Sequence, residues 1–134
     1  MSYIPKYLLK RLVPKDALRM DTVNGIRCAV LAVKNVISPL EVPAEIPQLP
    51  KDLNEFVRFS IDGEQGDITK LMIRAHGKIV TLNNLNDAAG ETVDVGEILE
   101  LCYPKELTPG EHTVKVEINQ NGNWTAIEVT RELS

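Results

Sequence analysis

Histidine and cysteine are scarce in this sequence: two histidines, His76 and His112, and two cysteines, Cys28 and Cys102. A zinc site draws several ligands from such residues and carboxylates, two of them usually from one local spacing. No two of these four lie closer than ten positions, so no local ligand pair exists. Asp87-x-Ala89-x-Glu91 opens like a calcium loop, but Ala89 fills a ligand position and the central glycine is missing. Gly63-x-x-Gly66 and the stretch from Gly90 to Gly96 lack the strand, glycine-rich turn and helix that cradle phosphate. Four serines are present, none in a Gly-x-Ser-x-Gly elbow. Acidic pairs are too numerous to single out a general acid and base.

What remains is a short set of candidates. His76, in Ala75-His76-Gly77, reads as a hairpin-turn residue, since histidine tolerates left-handed backbone; it could also present a proton-transfer group at a loop tip. His112 reads as a strand-entry residue facing solvent. Trp124 offers a flat face on which a sugar ring could stack, with Tyr103 as its only nominated companion, although packing beside a turn is the plainer role. His76, Tyr103 and Trp124 are thus the candidates for contact with a substrate or ligand. A self-contained active site is not expected, and neither a catalytic residue nor a bound metal or cofactor is assigned to this chain.

The elements that would position these groups are strands. The chain has 134 residues, 43% of them apolar, which suits a single domain over 1–134. Fifteen Lys and Arg against nineteen Asp and Glu leave a net charge of −4, which argues against nucleic acid as a partner. The longest apolar run, Cys28 to Val33, has six residues, far short of the roughly 20 of a membrane helix. Lys6, Lys10, Arg11 and Lys15 break the N-terminal apolar runs, so no secretory signal is read, and a cytoplasmic protein with reduced, buried thiols is expected. The acceptor-like Asn123-Trp124-Thr125 is discounted on the same ground.

Helical periodicity is nearly absent. Short runs of strand composition recur between Gly, Asn, Asp and Pro, predicting an all-β fold: an antiparallel β-sandwich of about eight or nine strands, with a closed barrel as the other option. The expected strands are Leu8 to Val13, Ala17 to Val23, Ile26 to Val36, Phe56 to Ile61, Ile68 to Ala75, Lys78 to Leu82, Thr92 to Val95, Glu97 to Tyr103, Thr113 to Asn119 and Trp124 to Arg131. Asn24-Gly25, His76-Gly77 and Asn121-Gly122 read as tight hairpin turns. The CAVLAV run predicts a central strand covered on both faces.

Two segments depart from this pattern. Residues 38–51 carry Pro39, Pro43, Pro47 and Pro50, which exclude a helix interior or a central strand and predict an extended surface loop. It is either a crossover between sheets or a docking loop, with Val42, Ile46 and Leu49 as contacts. The N-terminal arm, residues 1–8, holds Tyr3, Ile4 and Tyr7 and has the look of a tail ordered by a partner.

Ile4-Pro5-Lys6-Tyr7-Leu8-Leu9, the long strand ending Lys34-Asn35, the Ile61-Asp62-Gly63 turn and Leu107-Thr108-Pro109-Gly110-Glu111-His112 are spread over most of the chain. Together they resemble the small β-subunit family of bacterial C-glycoside deglycosidases. The resemblance implies a β-sandwich that works in a hetero-oligomer with a larger, sugar-isomerase-like α-subunit holding a divalent metal. That complex cleaves the carbon–carbon bond between a 3-oxo sugar and an aromatic aglycone by proton abstraction and β-elimination. The present chain would then be an accessory subunit of a lyase, binding no cofactor itself, and the proline-rich stretch is longer than the resemblance leads one to expect. The competing reading is a stand-alone binding or assembly module, carbohydrate-binding or self-associating.

Overall fold

The computed structural model describes residues 2–3, 6–36, 40–41, 55, 57–81, 84, 90–120 and 122–133. In chain order they form β1 (Ser2–Tyr3), α1 (Lys6–Leu12), β2 (Leu18–Val23), β3 (Ile26–Lys34), β4 (Leu40–Glu41), β5 (Val57–Ile61), β6 (Glu64–Gln65), β7 (Met72–Ala75), β8 (Lys78–Val80), β9 (Thr92–Val93), β10 (Ile98–Tyr103), β11 (Gly110–Gln120) and β12 (Asn123–Leu133). Eight of these strands have three residues or more. They are antiparallel throughout, in keeping with a sandwich-like all-β fold.

Local turn chemistry sets the pairing. Asn24, Asp62 and His76 have φ of 51°, 54° and 52°, each followed by a glycine that is also left-handed. Two successive positive φ angles produce the tight turn whose twist matches that of the flanking strands. These three turns join β2 to β3, β5 to β6 and β7 to β8. One sheet runs β1-β12-β11-β5-β6, the other β2-β3-β10-β7-β8, and β4 pairs with β9 in a separate two-stranded ribbon. Cys28, Ala29, Val30 and Leu31 of β3 are all buried, as a central strand covered on both faces requires.

The two large sheets face each other across one core. Phe59, Ile61, Val114, Val129 and Leu133 from the first meet Leu18, Ala29 and Leu31 from the second, with Leu12, Val13, Ile68 and Leu107 closing the margins. Phe59 meets Tyr103 edge to face, with centroids 4.6 Å apart and planes at 75°, a favourable arrangement of ring quadrupoles. An apolar void of about 30 Å³ remains between Phe59, Leu101, Tyr103 and their neighbours. That is room for about one water, but the void offers it almost nothing to bond.

Two expected strands are corrected. Leu8 to Val13 is not a strand: Lys6–Leu12 is helical and Val13 N donates to Leu9 O at 2.9 Å. Leu9, Leu12 and Val13 fall on one face at helical spacing and pack on the core. The run has no β-branched residue before Val13, and Lys10 and Arg11 suit the negative end of the helix dipole. In the arm, Ser2 and Tyr3 pair in parallel with Thr125 and Ala126 of β12. Finally, Ile68 to Ala75 begins as a 3-10 turn, Ile68–Lys70. Asp67 caps it, its Oδ1 accepting from Thr69 N at 3.0 Å and Thr69 Oγ1 at 2.7 Å, so the strand starts only at Met72. Of the proline-rich segment, Leu40–Glu41 is a strand paired with Val93 and Thr92; residues 38–39 and 42–51 lie outside the described residues. No helix among the described residues is long and apolar enough to cross a membrane.

Gly66 is where the core leaves no room. Its N–H donates to Phe59 O at 2.9 Å, and a Cβ placed on it would stand 2.2 Å from the Phe59 ring. Gly66→Ala must push that ring off Tyr103, so chemical denaturation should show a loss of about 1–3 kcal/mol. An unchanged midpoint would mean that the ring yields freely.

Candidate functional site

The two histidines occupy different corners of the molecule. His112 is not the solvent-facing residue expected of a strand entry, being 8% exposed. Its Nδ1–H donates to Asp62 Oδ2 at 2.6 Å and its Nε2–H to Thr108 O at 2.6 Å. Two acceptors on two ring nitrogens require both protons, so the group here is an imidazolium. The Asp62 carboxylate, followed by the Thr108 carbonyl, raises the His112 pKa above the ordinary histidine value. Asp62 in turn accepts from Thr113 N at 2.9 Å. The His112 bond, then that amide, hold its carboxyl below the usual range. The Asp62-Gly63 turn signal announces a hairpin; nothing local announces its partner fifty residues away. With both nitrogens engaged, His112 is a clamp rather than a base.

His76 sits where the sequence puts it, at the tip of the β7–β8 turn, and it is half-exposed. Its Nε2 bonds Glu97, while its Nδ1 lies 3.5 Å from Glu91, whose other oxygen meets Lys78 Nζ at 2.5 Å. Glu97 is the main cause of the raised His76 pKa, and Lys78 the main cause of the lowered Glu91 pKa. Glu97 also accepts from Asp94 N at 2.9 Å, the bond that contributes most to its own lowered pKa. The loop carrying Glu97 is anchored by Asn35, whose Nδ2 donates to Val93 O at 2.9 Å and whose carbonyl accepts from Gly96 N at 2.7 Å. The nitrogens of His76 address two different carboxylates, so they converge on no common point. Among the described residues no group of three or more His, Cys, Asp or Glu is disposed to hold a metal ion.

This corner gathers more than charge. Val95 and Ile98, on the same loop and the strand it feeds, are 54% and 53% exposed. β9, next along the chain to Glu91, pairs with β4, the first part of the proline-rich segment. The His76 tip is thus linked through Glu91 and the adjoining β9 to Leu40–Glu41, the described part of the 38–51 stretch. Glu97, Val95 and Ile98 carried no chemical pattern that would have singled them out.

The other candidates fall elsewhere. Tyr103 points into the core against Phe59, and its hydroxyl accepts from Asp67 N at 2.9 Å. Trp124 lies opposite Asn119 on the outer face of the first sheet, with the Arg58 guanidinium 3.9 Å above its ring. The two aromatics are on different sides of that sheet, which corrects the nominated pair. Tyr7 is 70% exposed on α1. The Tyr3 backbone is paired with β12, and Ile4, Val42, Ile46 and Leu49 lie outside the described residues. Cys28 and Cys102 are free and buried, and burial pushes the Cys102 thiol up to about 11, which leaves it unreactive. Over them lie Arg74, 2.7 Å from Glu100 and 3.0 Å from Asp21, and Arg19, which also bonds Glu100.

The His112–Asp62 clamp has a pH signature. The raised His112 pKa stabilises the fold fully below about 6.5 and ceases to do so as pH rises through the folded value. The lowered Asp62 pKa stabilises it above about 3.9 and ceases to do so as pH falls through its folded value. Their joint contribution is greatest between, and His112→Gln should cost about 1–3 kcal/mol there. The difference from the native protein should narrow at both extremes in denaturation measured across pH; a flat difference would mean that the pair carries no charge. In comparisons with known proteins, no family model matches this chain and no curated relative matches it.

Proposed function

We propose that this chain is the accessory β-subunit of a hetero-oligomeric C-glycoside deglycosidase, working in the cytoplasm beside a larger, sugar-isomerase-like α-subunit. The observation that carries the reading is the corner just described. Two exposed aliphatic side chains, Val95 and Ile98, stand beside an ordered set of charges, His76, Lys78, Glu91 and Glu97, where the proline-rich segment begins. An apolar centre with a charged rim is the usual make-up of a protein–protein contact. In this reading Tyr3, Ile4 and Tyr7 of the arm and Val42, Ile46 and Leu49 of the loop extend the contact.

The internal use of the motif residues supports the same reading. Asn35 anchors the loop of the corner, and Asp62 and His112 bond one another. Three of the segments that carry the resemblance thus do structural work. His112 is consumed in a clamp and His76 in ion pairs, so proton abstraction and β-elimination on the 3-oxo sugar fall to the α-subunit. The divalent metal on that subunit would polarise the substrate oxygens. The present chain stabilises its partner and, through His76, borders the substrate mouth.

The test is co-expression with a sugar-isomerase-like protein encoded beside it. The two should co-purify, native mass measurement should give a mixed oligomer, and cleavage of a 3-oxo-C-glucoside should require both. Val95→Asp with Ile98→Lys should weaken the association at least about tenfold while leaving thermal unfolding of the isolated chain nearly unchanged. An α-subunit fully active alone, or a chain that never associates with it, would overturn the assignment.

A further inference from the structure

The outer face of the first sheet carries a depression of about 360 Å³, at the small end of the roughly 300–1,000 Å³ typical of small-molecule sites. Arg58 and Ser60 of β5, Lys115 and Glu117 of β11 and Glu128 of β12 line it. The register explains the grouping: Arg58 opposes Glu117, Ser60 opposes Lys115, and Lys115 opposes Glu128. These residues alternate with the core-facing Phe59, Val116 and Ile127, so all of them turn outward.

The polar groups on this face are incompletely used. Arg58 does not pair with the Glu117 opposite it but lies over Trp124, and its buried Nε has no hydrogen-bond partner among the described residues. Asn119, opposite Trp124, donates through Nδ2 to Glu55 O at 2.9 Å, yet its buried Oδ1 has no partner among them. Among the described residues Glu117 and Glu128 form no ion pair. A buried polar atom without a partner is costly and calls for an explanation. Here an orphaned donor and an orphaned acceptor flank the same indole.

We propose that this face binds a neutral, polyhydroxylated ring, a monosaccharide or the sugar of a glycoside. A hydroxyl both donates and accepts, so one ring lying in the depression can serve the Arg58 guanidinium and the Glu117 carboxylate opposite it. The charges lining the depression, Arg58 and Lys115 against Glu117 and Glu128, balance, which favours a neutral ligand over an anion. Trp124 supplies the flat apolar surface beside the polar row on which the C–H face of a pyranose rests. The site lies on the first sheet, where the arm pairs with β12, rather than at the Val95 and Ile98 corner, and its argument does not depend on the partner assignment.

The full chain alone suffices for the test. D-glucose, methyl β-D-glucopyranoside and D-glucuronate are titrated while amide chemical shifts and Trp124 fluorescence are recorded. The neutral sugars should give saturable shifts centred on Arg58, Glu117, Asn119 and Trp124, with dissociation constants of order millimolar. Arg58→Met and Glu117→Gln should each weaken binding about tenfold, whereas Thr22→Ala, on the other sheet, should leave it unchanged. Trp124→Phe retains a flat face and should weaken it less than Trp124→Ala. No saturation by about 100 mM, shifts centred elsewhere, equal affinity in the Arg58 and Glu117 variants, or a preference for glucuronate would each overturn the proposal. Failure to co-purify with an α-subunit would leave it standing.

Discussion

The two sheets close on the ring of Phe59. It issues from the centre of β5, meets Tyr103 of the second sheet edge to face, and lies over Gly66. Each contact constrains the next. The ring keeps its place because Gly66 has no side chain. Gly66 is held because its amide bonds the Phe59 carbonyl. Tyr103 is oriented from its far end by the Asp67 amide. With that amide fixed, Asp67 caps the 3-10 turn that buries Ile68. Sheet spacing, a turn and a cap thus follow from one aromatic contact, so a change at any of its members is felt at the rest.

Around that apolar centre, charge is used mostly to join segments distant in sequence. Asp62 and His112 lock the β5–β6 turn to the entry of β11, while His76 and Glu97 bind the β7–β8 turn to the loop before β10. On the outer face of the second sheet, Arg19 and Arg74 bridge three strands through Asp21 and Glu100. Such pairs contribute little net energy when solvated, and of these residues His112 is the buried one; together they specify which segment meets which. The outer face of the first sheet differs: Arg58 lies over Trp124 rather than on the Glu117 opposite it.

Much of this architecture was legible in the residues. Alternation in Thr113 to Asn119 and the Asn-Gly, Asp-Gly and His-Gly dipeptides announced strands and turns, because side-chain period and positive φ are local properties. The helix at Lys6–Leu12 escaped because its apolar stripe, Leu9, Leu12 and Val13, spans scarcely more than one turn, and its helicity rests on docking rather than on a sustained repeat. Asp67 disguised a capped turn as the start of a strand. The sites were less legible than the fold. His76 could be placed at a turn, but Glu91 and Glu97 become its partners only when the loops are assembled. His112 looked exposed because its charged acceptor, Asp62, lies fifty positions away in the chain. Trp124 and Tyr103, both aromatic and both on strands, were paired by type; the intervening sheet keeps them apart.

Arg131, near the end of β12, donates from Nη2 to Val13 O at 2.7 Å and from Nε to Pro14 O at 3.1 Å. It thereby satisfies carbonyls at the C-terminal end of a helix too short to persist alone. The bond spans 118 positions, so closing it is entropically late, as long-range contacts are. During synthesis α1 is made more than a hundred positions before Arg131, which satisfies its terminal carbonyls. Until β12 has been added, the chain has the sequence of α1 but not the means to hold it.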